Sequence, residues 1–93
     1  MEANEMGKSF LEDKHIQIPA RKVSFKGKYY RYDLLVVEEK EEDGNRIVLD
    51  LNGNRFTHMK LEDVEKEGFL EHALQLTEIE AEDIKPFLRE ILS

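Results

Sequence analysis

The chain has 93 residues, 38% of them charged, and a formal net charge of −7. That length allows one hydrophobic core, and the content of Leu, Ile, Val and Phe is high enough for so charged a chain to fold. The absence of cysteine excludes disulfides and thiolate zinc sites, and the acidic total disfavours nucleic acid as a bulk partner.

Residues 1–13 carry acids and lack periodicity, which predicts a mobile tail ahead of a single α+β domain over 14–93. No apolar run reaches the length of a signal peptide or a membrane span, so the cytoplasm is the expected location and no membrane contact is expected. His15-Ile16-Gln17-Ile18 alternates and stops at Pro19, as a short edge strand or an extended lead-in would.

Lys22 to Val37 holds two runs of strand-forming residues around Lys26-Gly27. A two-residue turn there would set Phe25 against Lys28, Ser24 against Tyr29 and Val23 against Tyr30, because loop length fixes register. Period two then places Val23, Phe25, Tyr30, Tyr32, Leu34 and Val36 on a face that can be buried. Lys22, Ser24, Lys26, Tyr29, Arg31 and Asp33 share the other face.

The second of these strands is expected to run from about Lys28 to Glu38. An acidic stretch follows, and Asp43-Gly44-Asn45 supplies residues suited to a reversal. Asn52-Gly53 is the strongest hairpin signal in the chain and predicts a type I′ turn. Leu49 then faces Phe56, Asp50 faces Arg55 and Val48 faces Thr57. The expected inner face is Ile47, Leu49, Leu51 and Phe56, with Asp50 and Arg55 forming an outer ion pair. Two hairpins joined by a turn make an antiparallel β-meander of four or five strands, either a curved sheet or a partly closed barrel.

Leu61 to Gly68 supports no more than a turn or short helix. Residues 69–79 fit both periods, and the alternation of Leu74 and Leu76 favours a strand over Ala73 to Ile79. Ile84, Phe87, Leu88 and Ile91 have the spacing of a C-terminal amphipathic helix. Asp83 is its expected N-cap, because a start at Thr77 would leave Pro86 in the helix interior at a cost of about 3 kcal/mol.

His15, His58 and His72 lack the spacing of familiar metal motifs, no serine or threonine sits in a nucleophile elbow, and no glycine-rich phosphate loop occurs. Neither a cofactor nor a metal nor catalysis is expected. One feature stands out in charge. Lys14, Arg21, Lys22, Lys26, Lys28 and Arg31 give +6 between positions 14 and 32, where there is no acid, so the rest of the chain carries −13. Lys22, Lys26, Lys28, Tyr29 and Arg31 are therefore the candidate binding residues of a small accessory module that recognises a protein partner. The competing expectation is a weak single-stranded RNA or DNA binder that uses Tyr29 as a stacking platform.

Overall fold

The computed structural model describes residues 9–93. The expected tail over 1–13 therefore lies mostly outside the described residues, and Phe10 to Asp13 are exposed. Four strands, β1 (Ala20–Lys26), β2 (Arg31–Val37), β3 (Arg46–Asp50) and β4 (Arg55–Met59), precede three helices, α1 (Leu61–Val64), α2 (Phe69–Ala73) and α3 (Glu78–Leu92). The strands pair in the order β1-β2-β3-β4, all antiparallel, in an open sheet. This is the small α+β meander with a C-terminal helix that the sequence predicts. The core joins Tyr32, Leu34 and Val36 of β2, Val48 and Met59 to Val64, Leu70, Leu74, Ala81, Ile84, Leu88 and Ile91, so the helices cover one face of the sheet.

The first hairpin departs from its expected register. Lys26 faces Arg31 and Phe25 faces Tyr32, so the loop holds residues 27–30 instead of two residues. β2 accordingly starts at Arg31 instead of about Lys28. The slip is an even number of positions, and a strand repeats its faces every two residues. Val23, Phe25, Tyr32, Leu34 and Val36 therefore stay on the core side as expected, while Tyr30 falls in the loop and is exposed.

The second hairpin shows the opposite outcome. Its pairing is as expected, with Leu49 facing Phe56 and Asp50 facing Arg55, but its faces are inverted. Val48 and Met59 are fully buried and Asp50 is 8% exposed, whereas Phe56 is 62% exposed. Register with β2 explains this. Leu34 faces Asp50 and Val36 faces Val48, directly opposed side chains share a face, and Leu34 and Val36 belong to the core. Ile47, Leu49 and Phe56 consequently line the outer face with Leu35 and Val37. No outer ion pair joins Asp50 to Arg55 among the described residues; Asp50 Oδ1 accepts the Asn52 N–H at 3.2 Å. The type I′ turn is absent as well, since positive φ falls on Asn54 (54°) and not on Asn52 or Gly53.

One expected alternative is decided and two further expectations are corrected. His15 to Ile18 form no strand and are the lead-in to β1, because the ladder's last bond runs from Glu38 N–H to the Pro19 carbonyl (2.9 Å) and, among the described residues, no strand pairs with the chain before it. The stretch from Ala73 to Ile79 is not a strand either. Leu70 and Leu74 are buried one helical turn apart, Leu74 N–H bonds the Leu70 carbonyl at 3.1 Å, and Gln75 at φ 55° turns the chain toward α3. Both leucines and Leu76 thus reach the core from a helix and its exit.

Asp83 does not cap α3. Thr77 does, through a reciprocal pair in which Glu80 N–H donates to Thr77 Oγ1 (3.1 Å) and Thr77 N–H donates to Glu80 Oε1 (2.9 Å). Pro86 sits inside the helix. It leaves the Glu82 carbonyl without its donor, but on an exposed side of the helix, where water can serve instead. The burial of Ala81, Ile84, Leu88 and Ile91 spans the proline and offsets its cost.

Candidate functional site

The Gly27–Tyr30 loop joins β1 to β2 and has no ladder of its own beyond Gly27 N–H to the Tyr30 carbonyl at 2.8 Å. Its remaining amides converge on one carboxylate from α3. Lys28 N–H donates to Asp83 Oδ1 at 2.5 Å, and Tyr29 and Tyr30 N–H donate to Oδ2 at 3.2 and 3.3 Å. The Tyr32 hydroxyl donates to the same Oδ2 at 2.9 Å. Asp83 is 8% exposed. Burial acts to raise its pKa, but the hydrogen bonds from Lys28, Tyr29, Tyr32 and Tyr30 outweigh it and hold the carboxyl below its ordinary value. Tyr32 moves the other way: burial, and then the bond to Asp83, raise its pKa.

Gly27 makes the clamp possible. A Cβ there would fall 2.6 Å from the Asp83 carboxyl carbon, closer than nonbonded atoms approach. Gly27 is therefore required for its absent side chain, since its φ is not positive.

The clamped loop and α3 enclose a groove of about 740 Å³ lined by Lys26, Lys28 and Tyr29 on one wall and by Glu78, Ile79, Glu82, Pro86 and Phe87 on the other. Phe87 stacks on Phe25 with ring centroids 4.0 Å apart, which ties the groove floor to β1. Tyr29 is 59% and Ile79 56% exposed, so both present apolar surface to solvent. Lys28 Nζ lies 5.5 Å from the centroid of the Tyr29 ring, within cation–π range.

The five residues singled out from the sequence are thus divided by the structure. Lys26, Lys28 and Tyr29 converge on the groove. Lys22 lies on the outer face of β1, exposed. Arg31 is engaged by Asp33 at 3.1 Å. Asp33 also accepts the Ser24 hydroxyl at 2.6 Å and the Asn52 amide at 3.1 Å, and the bonds from Ser24, Arg31 and Asn52 hold its pKa down at about 2. Sequence reasoning missed Glu78, Ile79, Glu82, Asp83, Pro86 and Phe87 as site residues. Gly27 gave no signal for them, since in the sequence it reads as a turn glycine, and only its φ and its close approach to Asp83 show otherwise. Among the described residues, no group of three His, Asp or Glu side chains is placed to hold a metal ion, and no helix is long and apolar enough to cross a membrane.

Comparison with known proteins places the chain in a family. The family model described as SAV0927-like matches residues 11–90. The chain belongs to the SAV0927-like family. The matched span contains both walls of the groove, with Gly27 and Asp83, so the clamp lies wholly within the SAV0927-like region. No curated protein matches the chain.

Proposed function

We propose that the protein is a small, non-catalytic binding module that docks a protein partner in the groove between residues 27–30 and α3. The observation that supports this reading is the composition of the groove. Its exposed Tyr29 and Ile79 and its Phe87 floor offer apolar surface, with Lys26 and Lys28 on one wall and Glu78 and Glu82 on the other. Aromatic and apolar anchors within a charged rim are the usual make-up of a protein-recognition patch. The same acids weigh against single-stranded nucleic acid, because they would face its phosphates across the groove.

The test compares variants in capturing partners from extract of the native organism. Ile79→Asp combined with Tyr29→Ala should abolish capture while leaving the melting curve near that of wild type, because both side chains are exposed. Arg31→Glu, outside the groove, should retain capture. Retention by the groove double variant would overturn the reading, as would loss of capture on adding a large excess of mixed-sequence RNA, which would mark nucleic acid as the ligand.

A further inference from the structure

Among the described residues no strand pairs with the outer edge of β1, and the hydrogen-bond phase of that edge follows from its ladder. In an antiparallel pair, bonded and non-bonded positions alternate. Gly27 bonds Tyr30 at one end of the β1–β2 ladder and Pro19 bonds Glu38 at the other. Both pairs are in register with the pairing of Arg21 to Val36, Val23 to Leu34 and Phe25 to Tyr32. Odd-numbered residues of β1 therefore turn their N–H and C=O toward β2. Ala20, Lys22, Ser24 and Lys26 turn theirs outward, and all four are exposed. The same alternation at the far edge leaves only Phe56 and His58 of the shorter β4, where Glu41 bonds His58 Nδ1 at 2.6 Å.

The side chains along β1 state what a fifth strand should be. Lys22 lies on the outer face and Lys26 shares its alternation at the strand's end, where it also borders the groove, while Val23 and Phe25 lie on the core side, each only half-buried. A strand laid beside β1 would place alternate side chains next to these two sets. Its outer positions meet lysines and its inner positions meet apolar surface left partly uncovered at the core's margin. A second copy of this chain fits poorly, because β1 against β1 would bring Arg21, Lys22 and Lys26 of both copies together.

We infer that β1 is a strand-addition site for an extended partner segment that alternates acidic and apolar residues. Such a segment completes its backbone bonds on Ala20, Lys22, Ser24 and Lys26, sets its acids beside Lys22 and Lys26, and covers Val23 and Phe25. Its end passes the Gly27–Tyr30 loop. This deepens the protein-binding reading above and rests on it, and its surface shares only Lys26 with the groove.

The experiment titrates a fluorescein-labelled peptide of alternating Glu and Val into the full chain by anisotropy, and follows amide hydrogen exchange by NMR. Binding should slow exchange at Ala20, Lys22, Ser24 and Lys26 while leaving Arg21, Val23 and Phe25 as they were, and should weaken as salt rises. An alternating Lys and Val peptide should not bind. Ser24→Pro removes one outward N–H and no ladder bond, and should weaken binding about tenfold, the equivalent of one backbone hydrogen bond. Ala20→Pro is the second such variant, should Ser24→Pro melt early through loss of the Asp33 contact. No binding at low salt, equal binding of the Lys peptide, or protection without the alternating pattern would each overturn strand addition. So would concentration-dependent protection of the same amides in the absence of peptide, which would mark a dimer edge. Each of those failures leaves the groove standing, since the groove is tested by Ile79→Asp and Tyr29→Ala, neither of which touches β1.

Discussion

Asp83 organises the candidate site with one side chain. Its two oxygens receive three successive backbone amides and a tyrosine hydroxyl, bonds that no strand or helix supplies to that loop. A residue without a side chain is the counterpart of this arrangement. Gly27→Ala should push the loop off α3, because the added methyl meets a carboxylate that is itself fixed by four donors. The expected result is a lower melting temperature together with loss of partner capture. Asp83→Asn keeps the shape but loses the charge and half the acceptor capacity, and should reproduce both effects. If Gly27→Ala melts and binds like wild type, the clamp does not hold the loop. The pair was not legible from sequence for a specific reason: residues 27 and 83 are far apart in the chain, and an aspartate shortly before a proline in a helical pattern has a local role ready to hand as an N-cap. The long-range role prevailed because Thr77 and Glu80 already cap the helix.

At the level of elements, the sequence carried more about pairing than about burial. Asn52-Gly53 placed the second hairpin in its observed register even though the positive φ falls on Asn54. It could not tell which face meets the core, because Leu49 and Phe56 are as apolar as Val48 and Met59. That choice belongs to β2, whose core residues Leu34 and Val36 oppose Asp50 and Val48, and it appears only once the two hairpins are aligned. In the first hairpin the faces were right and the register was not, since a slip by an even number of residues preserves sides. The inversion can be measured. Met59→Ala, at a fully buried position, should cost about 2 to 5 kcal/mol, whereas Phe56→Ser, on the outer face, should change stability by about 0.5 kcal/mol or less. Comparable losses from the two variants in urea melts would restore Phe56 to the core and reject the observed alignment.

Over the whole molecule, the segregation of charge seen along the chain is less complete in space. Arg21 meets Glu38 at 3.5 Å, Arg31 meets Asp33 and Lys14 meets Glu12 at 2.8 Å, while Lys26 and Lys28 line the groove together with Glu78 and with Glu82, which itself bonds Lys85. Half of the basic block of the sequence is thus answered locally, which is why a count of +6 overstates the field any partner would feel. The carboxylates also set how stability depends on pH. Asp33, Asp63, Glu65 and Asp83 all have pKa values held below the ordinary ones: Asp33 chiefly by Ser24, Asp63 by Lys66, Glu65 by Arg89, and Asp83 by the loop amides against its own burial. A depressed folded pKa means that the unfolded chain binds protons first, so these groups contribute their full stability above the ordinary carboxylate range. The contribution falls away as acid protonates them in the folded state. For Asp33 that window runs from its ordinary 3.8 down to about 2. Lys85 and Arg89 have raised values, from the bonds to Glu82 and Glu65 respectively, so on the alkaline side these pairs are lost only in strong alkali, and on the acid side they go with the protonation of their carboxylates. Melting temperature should therefore be flat from about pH 6 to 9 and fall steadily below about pH 4. Asp83→Asn should show a lower plateau and a shallower acid limb, because the residue whose protonation loosens the loop is gone. An acid limb as steep in Asp83→Asn as in wild type would show that the clamp contributes nothing to acid sensitivity, leaving Asp33, Asp63 and Glu65 as its source.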